Sequence, residues 1–368
     1  MKIISAGLFF VLLLGLFSCG ISAAEIPEPK EYVPEQLLDR LPENTREDII
    51  SGGSENAVGI KSLSSIITDI VRSVISKVLR PAAKLIALVV ILSVFLIISS
   101  SGKTGAFSAV IDYVAILSTA YIVFDILADL LDQTKTLLSE LTVLINGILP
   151  CITGLYVLCG NVTSAAVTNT SMMIVLTVLQ DICSFGLGPL LTACMGMVLI
   201  TSLCGSIDLE PLSKVIRKTF TVILTAVMTV FSASMALSGV IASSKDTAAM
   251  RGVKFAASNF IPIIGSSVSD AVTALGSGLT SLKNTVGVII IFGITVTVLP
   301  LLITLICAKL SFSLSSAAAR VFGADKQARF IESSAELVDF LIAVITIVTV
   351  IFLTASIILI TTSAAVSI

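Results

Sequence analysis

The chain has 368 residues, 56% of them apolar and only 12% charged, with a formal net charge of −2. A water-soluble domain carries about 25% charged residues, and half that share cannot cover a surface in water. The composition calls for lipid around most of the chain. The near-neutral balance excludes the basic footprint of a nucleic-acid binder.

The sequence opens with Met1-Lys2, an apolar run from Ile3 to Leu16, and the small residues Ser22-Ala23-Ala24. A basic start, an apolar core and a small-residue exit are the parts of a secretory signal peptide, read here as residues 1–24. Cleavage after Ala24 places the new N-terminus on the outer face. Leu16-Phe17-Ser18-Cys19 offers a second exit, a lipoprotein site ending in an acylated Cys19, although Phe17 is bulky for it. Residues 25–58 follow as an extracytoplasmic arm. Its acids, Glu25, Glu28, Glu31 and Glu35 among them, outnumber its bases, and Pro27, Pro29, Pro34 and Pro42 interrupt it. Such a tract reads as extended or loosely helical.

Residues 59–80 predict an amphipathic helix. Ile60, Leu63, Ile67, Ile70, Val74 and Val78 form one stripe, while Lys61, Arg72, Lys77 and Arg80 lie between. The cationic face suits anionic headgroups, and the apolar face equally suits partner helices. Pro81 ends the pattern.

Residues 81–368 read as a multi-span domain, so the fold class is an all-α polytopic membrane protein with seven to eight spans. At about 20 apolar residues per crossing, the expected spans are 83–101, 106–128, 141–160, 171–186, 188–206, 217–242, 286–308 and 337–361. Pro150 interrupts the third. Gly186-Leu187-Gly188-Pro189 separates the fourth from the fifth, as a tight hairpin or as one broken helix. With an external N-terminus, the loops near 207–216 and 309–336 fall inside. Lys214, Arg217, Lys218, Lys309, Arg320, Lys326 and Arg329 agree with that. Stretch 243–285 falls outside, although it carries Lys245, Arg251, Lys254 and Lys283. Val268, Val272, Leu275, Leu279 and Leu282 repeat there at helical spacing. This predicts a second amphipathic helix or a re-entrant segment near 259–285.

Candidate chemistry is sparse. The chain has no histidine, which removes Ser-His-Asp and Cys-His catalysis and histidine-ligated metals. Cys151, Cys159, Cys183, Cys194, Cys204 and Cys307 lie in or beside apolar stretches without a C-x-x-C, as small buried hydrophobes do. No residue set points to a catalytic centre, a metal or a cofactor. Ser101-Gly102-Lys103-Thr104 lacks the leading glycine of a phosphate loop, since position 97 is Ile97. Asp112, Asp125 and Asp181 fall within expected spans and outline a polar path such as a proton-coupled transporter needs. Asp112, Asp129, Asp132 and Lys135 fit a span's entry and exit at headgroup level better, since Val114 to Phe124 carries no charge.

Several stretches together carry a resemblance. They are Leu149-Pro150 with Thr153-Gly154-Leu155; Asn259-Phe260-Ile261-Pro262-Ile263-Ile264-Gly265; Val268-Ser269-Asp270-Ala271-Val272; and Leu282-Lys283-Asn284-Thr285-Val286-Gly287-Val288. With the order of leader, acidic arm, amphipathic helix and spans, the chain resembles the stage III sporulation protein AE family of endospore-forming bacteria. The resemblance covers nearly the whole length. It departs at Ser266-Ser267 and at Gly276-Ser277-Gly278, where the family tends to carry a glycine-rich turn and a cysteine.

The resemblance implies a non-enzymatic component of the channel, or feeding tube, that joins mother cell and forespore. It would sit in the mother-cell membrane facing the forespore. Implied partners are the other proteins of the same sporulation operon, a secretion-type ATPase among them, and a forespore-membrane protein. Asn259, Pro262, Gly265, Asp270, Asn284 and Gly287 are the expected structural or assembly residues. A stand-alone secondary transporter or permease using Asp112, Asp125 and Asp181 is the alternative.

Overall fold

A computed structural model describes residues 83–92, 94, 105–158, 162–204, 207–260 and 265–361. The expected leader 1–24, acidic arm 25–58 and amphipathic helix 59–80 lie outside the described residues, as does Pro262. Among the described residues there is no strand. The elements are a short helix α1 (Ala83–Leu92) and five long ones. The long helices are α2 (Gly105–Leu158), α3 (Val162–Leu203), α4 (Glu210–Phe260), α5 (Gly265–Val321) and α6 (Asp325–Thr361).

Four of the long helices form a ring around the fifth. Neighbours pack as α2 with α3, α3 with α4, α4 with α5 and α5 with α2, and every one of them also packs on α6. The sequence of α6 explains its place. From Phe340 to Thr361 it carries no charge on any face, and a helix apolar all round is stable only when enclosed. Its apolar window is 67% buried, against 17% to 39% in the others. Leu337, Val338, Leu341, Val344, Ile345 and Val348 are fully buried along it.

The helices are longer than the expected spans. Stretch 106–128 and the described part of 141–160, up to Leu158, lie on α2, and 171–186 and 188–203 lie on α3, with Pro150 and Pro189 inside unbroken helices. The proline cost, about 3 kcal/mol in a helix interior, is offset by apolar stripes that run through both sites. On α3, Cys183, Leu187, Leu191, Cys194 and Val198 are buried at spacings of three and four. On α2, Leu141, Ile145, Leu149, Ile152 and Tyr156 do the same. Run length and proline position suggested separate spans, whereas the continuous stripe decides for one helix. Counting each pair as one crossing removes two crossings in all, so loops 207–216 and 309–336 keep their side relative to the expected external N-terminus. Stretch 243–285 is helical up to Phe260 and again from Gly265, with residues 261–264 outside the described residues.

Local chemistry fixes the turns. Asp208 Oδ1 accepts the Glu210 N–H at 3.0 Å, capping α4, and Thr201 Oγ1 accepts the Leu209 N–H at 2.9 Å. Pro211 follows in the first turn, where its missing N–H has no partner to lose. At the other hairpin the Ala324 N–H reaches Ala319 O at 2.9 Å and the Gly323 N–H reaches Arg320 O at 3.0 Å. This Schellman pair needs a left-handed residue, and Gly323 has φ +76°. Gly323→Ala is expected to cost about 1 kcal/mol, seen as a lower unfolding midpoint in detergent with helix content unchanged. An unshifted midpoint would show that this turn does not limit the α5–α6 hairpin.

Candidate functional site

The N-termini of α2, α4 and α6 and the C-termini of α3 and α5 gather at one end of the bundle, and ion pairs tie them together. Glu332, Glu336 and Asp339 stand at i, i+4 and i+7, on one side of α6. Arg320 of α5 pairs with Glu332. Arg217 Nη2 of α4 donates to Glu336 Oε2 at 3.0 Å, and Lys214 Nζ lies 3.2 Å from Glu336 Oε1 and 2.6 Å from Glu210 Oε1. Lys309 Nζ of α5 meets Asp339 Oδ1 at 2.6 Å, an ionic contact rather than a directed hydrogen bond. Lys326 Nζ of α6 donates to Asp112 Oδ2 of α2 at 2.8 Å.

Burial ranks these pairs. Arg217 is only 7% exposed, and its Nε also donates to Ser213 O at 3.3 Å. Its charge is thus held by two acceptors inside the packing. Arg320 with Glu332 and Lys326 with Asp112 are more exposed, where an ion pair is worth about 0–1 kcal/mol.

The charges of α4, α5 and α6 that border their apolar stretches (Lys218, Lys309 and Asp339) fall near one level, and Glu140 of α2 and Asp181 of α3 lie about 7–10 Å beyond it. A Cβ built on Gly188 of α3 would lie 3.2 Å from Lys135 Nζ of α2, and one on Gly186 would lie 2.8 Å from Phe220 Cε2 of α4. Phe220 in turn packs edge-on against Phe340 of α6, with ring centroids 5.7 Å apart. Asp339 and Lys309 meet beside it. On the far side of this level each long helix has a charge-free window: 141–158, 162–180, 219–244, 284–308 and 340–361. Each is close to the ~20 residues that cross a bilayer. Five described helices are long and apolar enough to cross a membrane.

The sequence-derived aspartates Asp112, Asp125 and Asp181 lie apart on α2 and α3. Asp112 is held by Lys326. Asp125 is an exposed side chain on the same helix, thirteen residues and so about 20 Å further along. Asp181 is exposed on α3. Asn259 falls in the last turn of α4, Gly265 opens α5, and Asp270, Asn284 and Gly287 follow along α5.

Two features went unremarked in the sequence. One is the α6 acid ladder, although its i, i+4, i+7 spacing was readable. The other is an exposed apolar stripe on α2, comprising Val110, Tyr113, Val114, Leu117 and Tyr121, with Tyr121 78% exposed. It lies in the charged half, and a contiguous exposed apolar surface marks a contact site.

A profile of the family described as Stage III sporulation protein AE matches residues 43–363. The curated Stage III sporulation protein AE of Bacillus subtilis (strain 168) is 23% identical over 219 residues, 56% of this chain and 53% of that protein. The chain thus spans about half the length of the curated relative it matches. No solved structure matches it. The family's description names no reaction, and the profile takes in all five long helices, which fit a multi-pass membrane protein. The chain belongs to the stage III sporulation protein AE family.

Proposed function

We propose that this protein is a non-enzymatic, multi-pass component of the channel complex between mother cell and forespore, seated in the mother-cell membrane. The observation that carries this reading is the division of the helices near one level. The five charge-free windows form one bilayer-deep slab. The other half projects, about 20 Å along α6 from Asp339 to Asp325.

We place 182–203 in the projecting half because Leu187, Leu191, Cys194 and Val198 are buried against neighbouring helices and need no lipid, while Phe185 and Ile200 stay exposed. Lys214, Arg217, Lys218, Lys309, Arg320, Lys326 and Arg329 cluster in and beside the loops of this half, as lysines and arginines do on a cytoplasmic face whatever the acids around them. The acidic arm then stands on the opposite face, toward the forespore-membrane partner. The projecting half, with its bare α2 stripe, offers a docking face to cytoplasmic operon proteins such as the secretion-type ATPase.

Leu117→Glu with Tyr121→Glu places two charges in that stripe. It is expected to weaken co-purification of the operon proteins by about tenfold or more and to block spore formation, with membrane insertion retained. Normal sporulation in the double variant would overturn the reading. So would proton-coupled uptake by the purified protein alone in liposomes, abolished by Asp125→Asn.

A further inference from the structure

We infer that the cleft between α2 and α3, lined by Asn146, Leu149, Pro150, Thr153, Asn169 and Met173, is the interface through which a second copy of this chain docks within the membrane. The cleft has a volume of about 480 Å³. It lies inside the charge-free windows 141–158 and 162–180, so the inference rests on the membrane placement proposed above.

Its chemistry is unsuited to lipid. Asn146 and Asn169 are both exposed, and each carboxamide carries two N–H donors and a carbonyl with two lone pairs. Hydrocarbon tails satisfy none of these. Pro150 lacks the N–H that would bond the Asn146 carbonyl one turn back, which adds a free backbone acceptor at the same place. Thr153 gives these acceptors no proton, because its hydroxyl already donates to Leu149 O at 2.8 Å. Two exposed carboxamides in an otherwise apolar cleft at this depth call for a neighbouring helix with polar side chains.

Three observations select a second copy as that neighbour. First, asparagine is donor and acceptor at once, so the cleft is complementary to itself. Second, copies in one membrane share one orientation, so the axis relating them is normal to the bilayer. Such an axis leaves every residue at its own depth and brings the polar level of one copy to the polar level of the next. Third, α6 fills the axis of the bundle, so a conduit built from this protein has to form between copies. The surface also permits close approach. Gly154 stands one turn beyond Pro150, and a Cβ built there would meet nothing within 4 Å.

The test uses the full chain, carrying a fluorescent protein at its C-terminus, in phosphatidylethanolamine–phosphatidylglycerol liposomes over a range of protein-to-lipid ratios. Photobleaching steps report the number of copies. The wild type is expected to associate, and Asn146→Leu with Asn169→Leu is expected to raise the apparent dissociation constant about tenfold. Gly154→Trp, which fills the approach without touching the asparagines, is expected to do the same. Helix content and unfolding midpoint identify any variant that fails to fold.

A wild type monomeric at every ratio would overturn the proposal and hand the cleft to a helix of another protein. Association unaffected by both variants would overturn it too. Asn146→Cys separates the two levels of the argument. Protection of this cysteine from a membrane-impermeant maleimide in the dilute, monomeric state upholds the placement whatever the copy number. Free labelling there would bring down the placement and the interface together.

Discussion

Replacing Arg217 with alanine is expected to cost about 2–3 kcal/mol of folding stability, below the range for a fully buried pair because Glu336 is partly exposed. Arg217 is 7% exposed and bridges Ser213 O and Glu336. Its loss leaves Glu336 at the meeting of α4 and α6 with Lys214 as its remaining cation, 3.2 Å away. Lys214→Ala removes a half-exposed partner of the same acid and is expected to cost no more than about 1 kcal/mol. Thermal unfolding in detergent micelles compares the two. Equal losses would show that burial does not rank these pairs. Arg217→Lys tests geometry, since an ammonium cannot reach two acceptors with the spread of a guanidinium, and an intermediate loss is expected.

The second large effect is expected at Phe330. Its side chain is fully buried and tilts against Phe124, with ring centroids 6.1 Å apart and planes at 56°. This contact locks α6 to α2 in the half proposed above to project from the membrane, where water would make the full hydrophobic penalty available. Phe330→Ala is expected to cost about 3–5 kcal/mol and Phe330→Leu less, since more of the volume is kept. Val350→Ala, on an exposed site of the same helix, should stay within about 0.5 kcal/mol. If Phe330→Ala proved as mild as Val350→Ala, the central position of α6 would be wrong.

The legible part of the fold was local. The apolar run from Phe340 to Thr361 identified a buried or spanning helix without any partner in view. The lysines and arginines near 207–216 and 309–336 assigned those loops to one side, and the Arg217–Glu336 bond now joins the same two segments. Asp208 before Glu210 and Gly323 before Asp325 were readable helix signals as well. The breaks expected at Pro150 and Pro189 failed because a single proline is weighed locally, whereas the stripes on either side of it gain their energy from other helices.

The candidate site was less legible. Asp112, Asp125 and Asp181 stood out because a charge in an apolar run is conspicuous. A charge's conspicuousness along the chain says nothing about its partner, and Lys326, which holds Asp112, lies 214 positions away. The acids of α6 are inconspicuous along the chain, because Glu332 and Glu336 sit at the polar start of a helix, where charges are ordinary, and Asp339 stands at the edge of the apolar run.

By itself, then, the sequence determined the class: helical, lipid-requiring, poor in catalytic side chains, and similar to a sporulation family over nearly its whole length. Composition and periodicity suffice for that, since each is set by the solvent around a segment. Only the tertiary structure decided that α6 is the axis, that the bordering charges of α4, α5 and α6 fall near one level, and that two asparagines from neighbouring helices share a cleft. Those are relations between segments far apart in the chain, set by packing whose energy appears only when five helices meet.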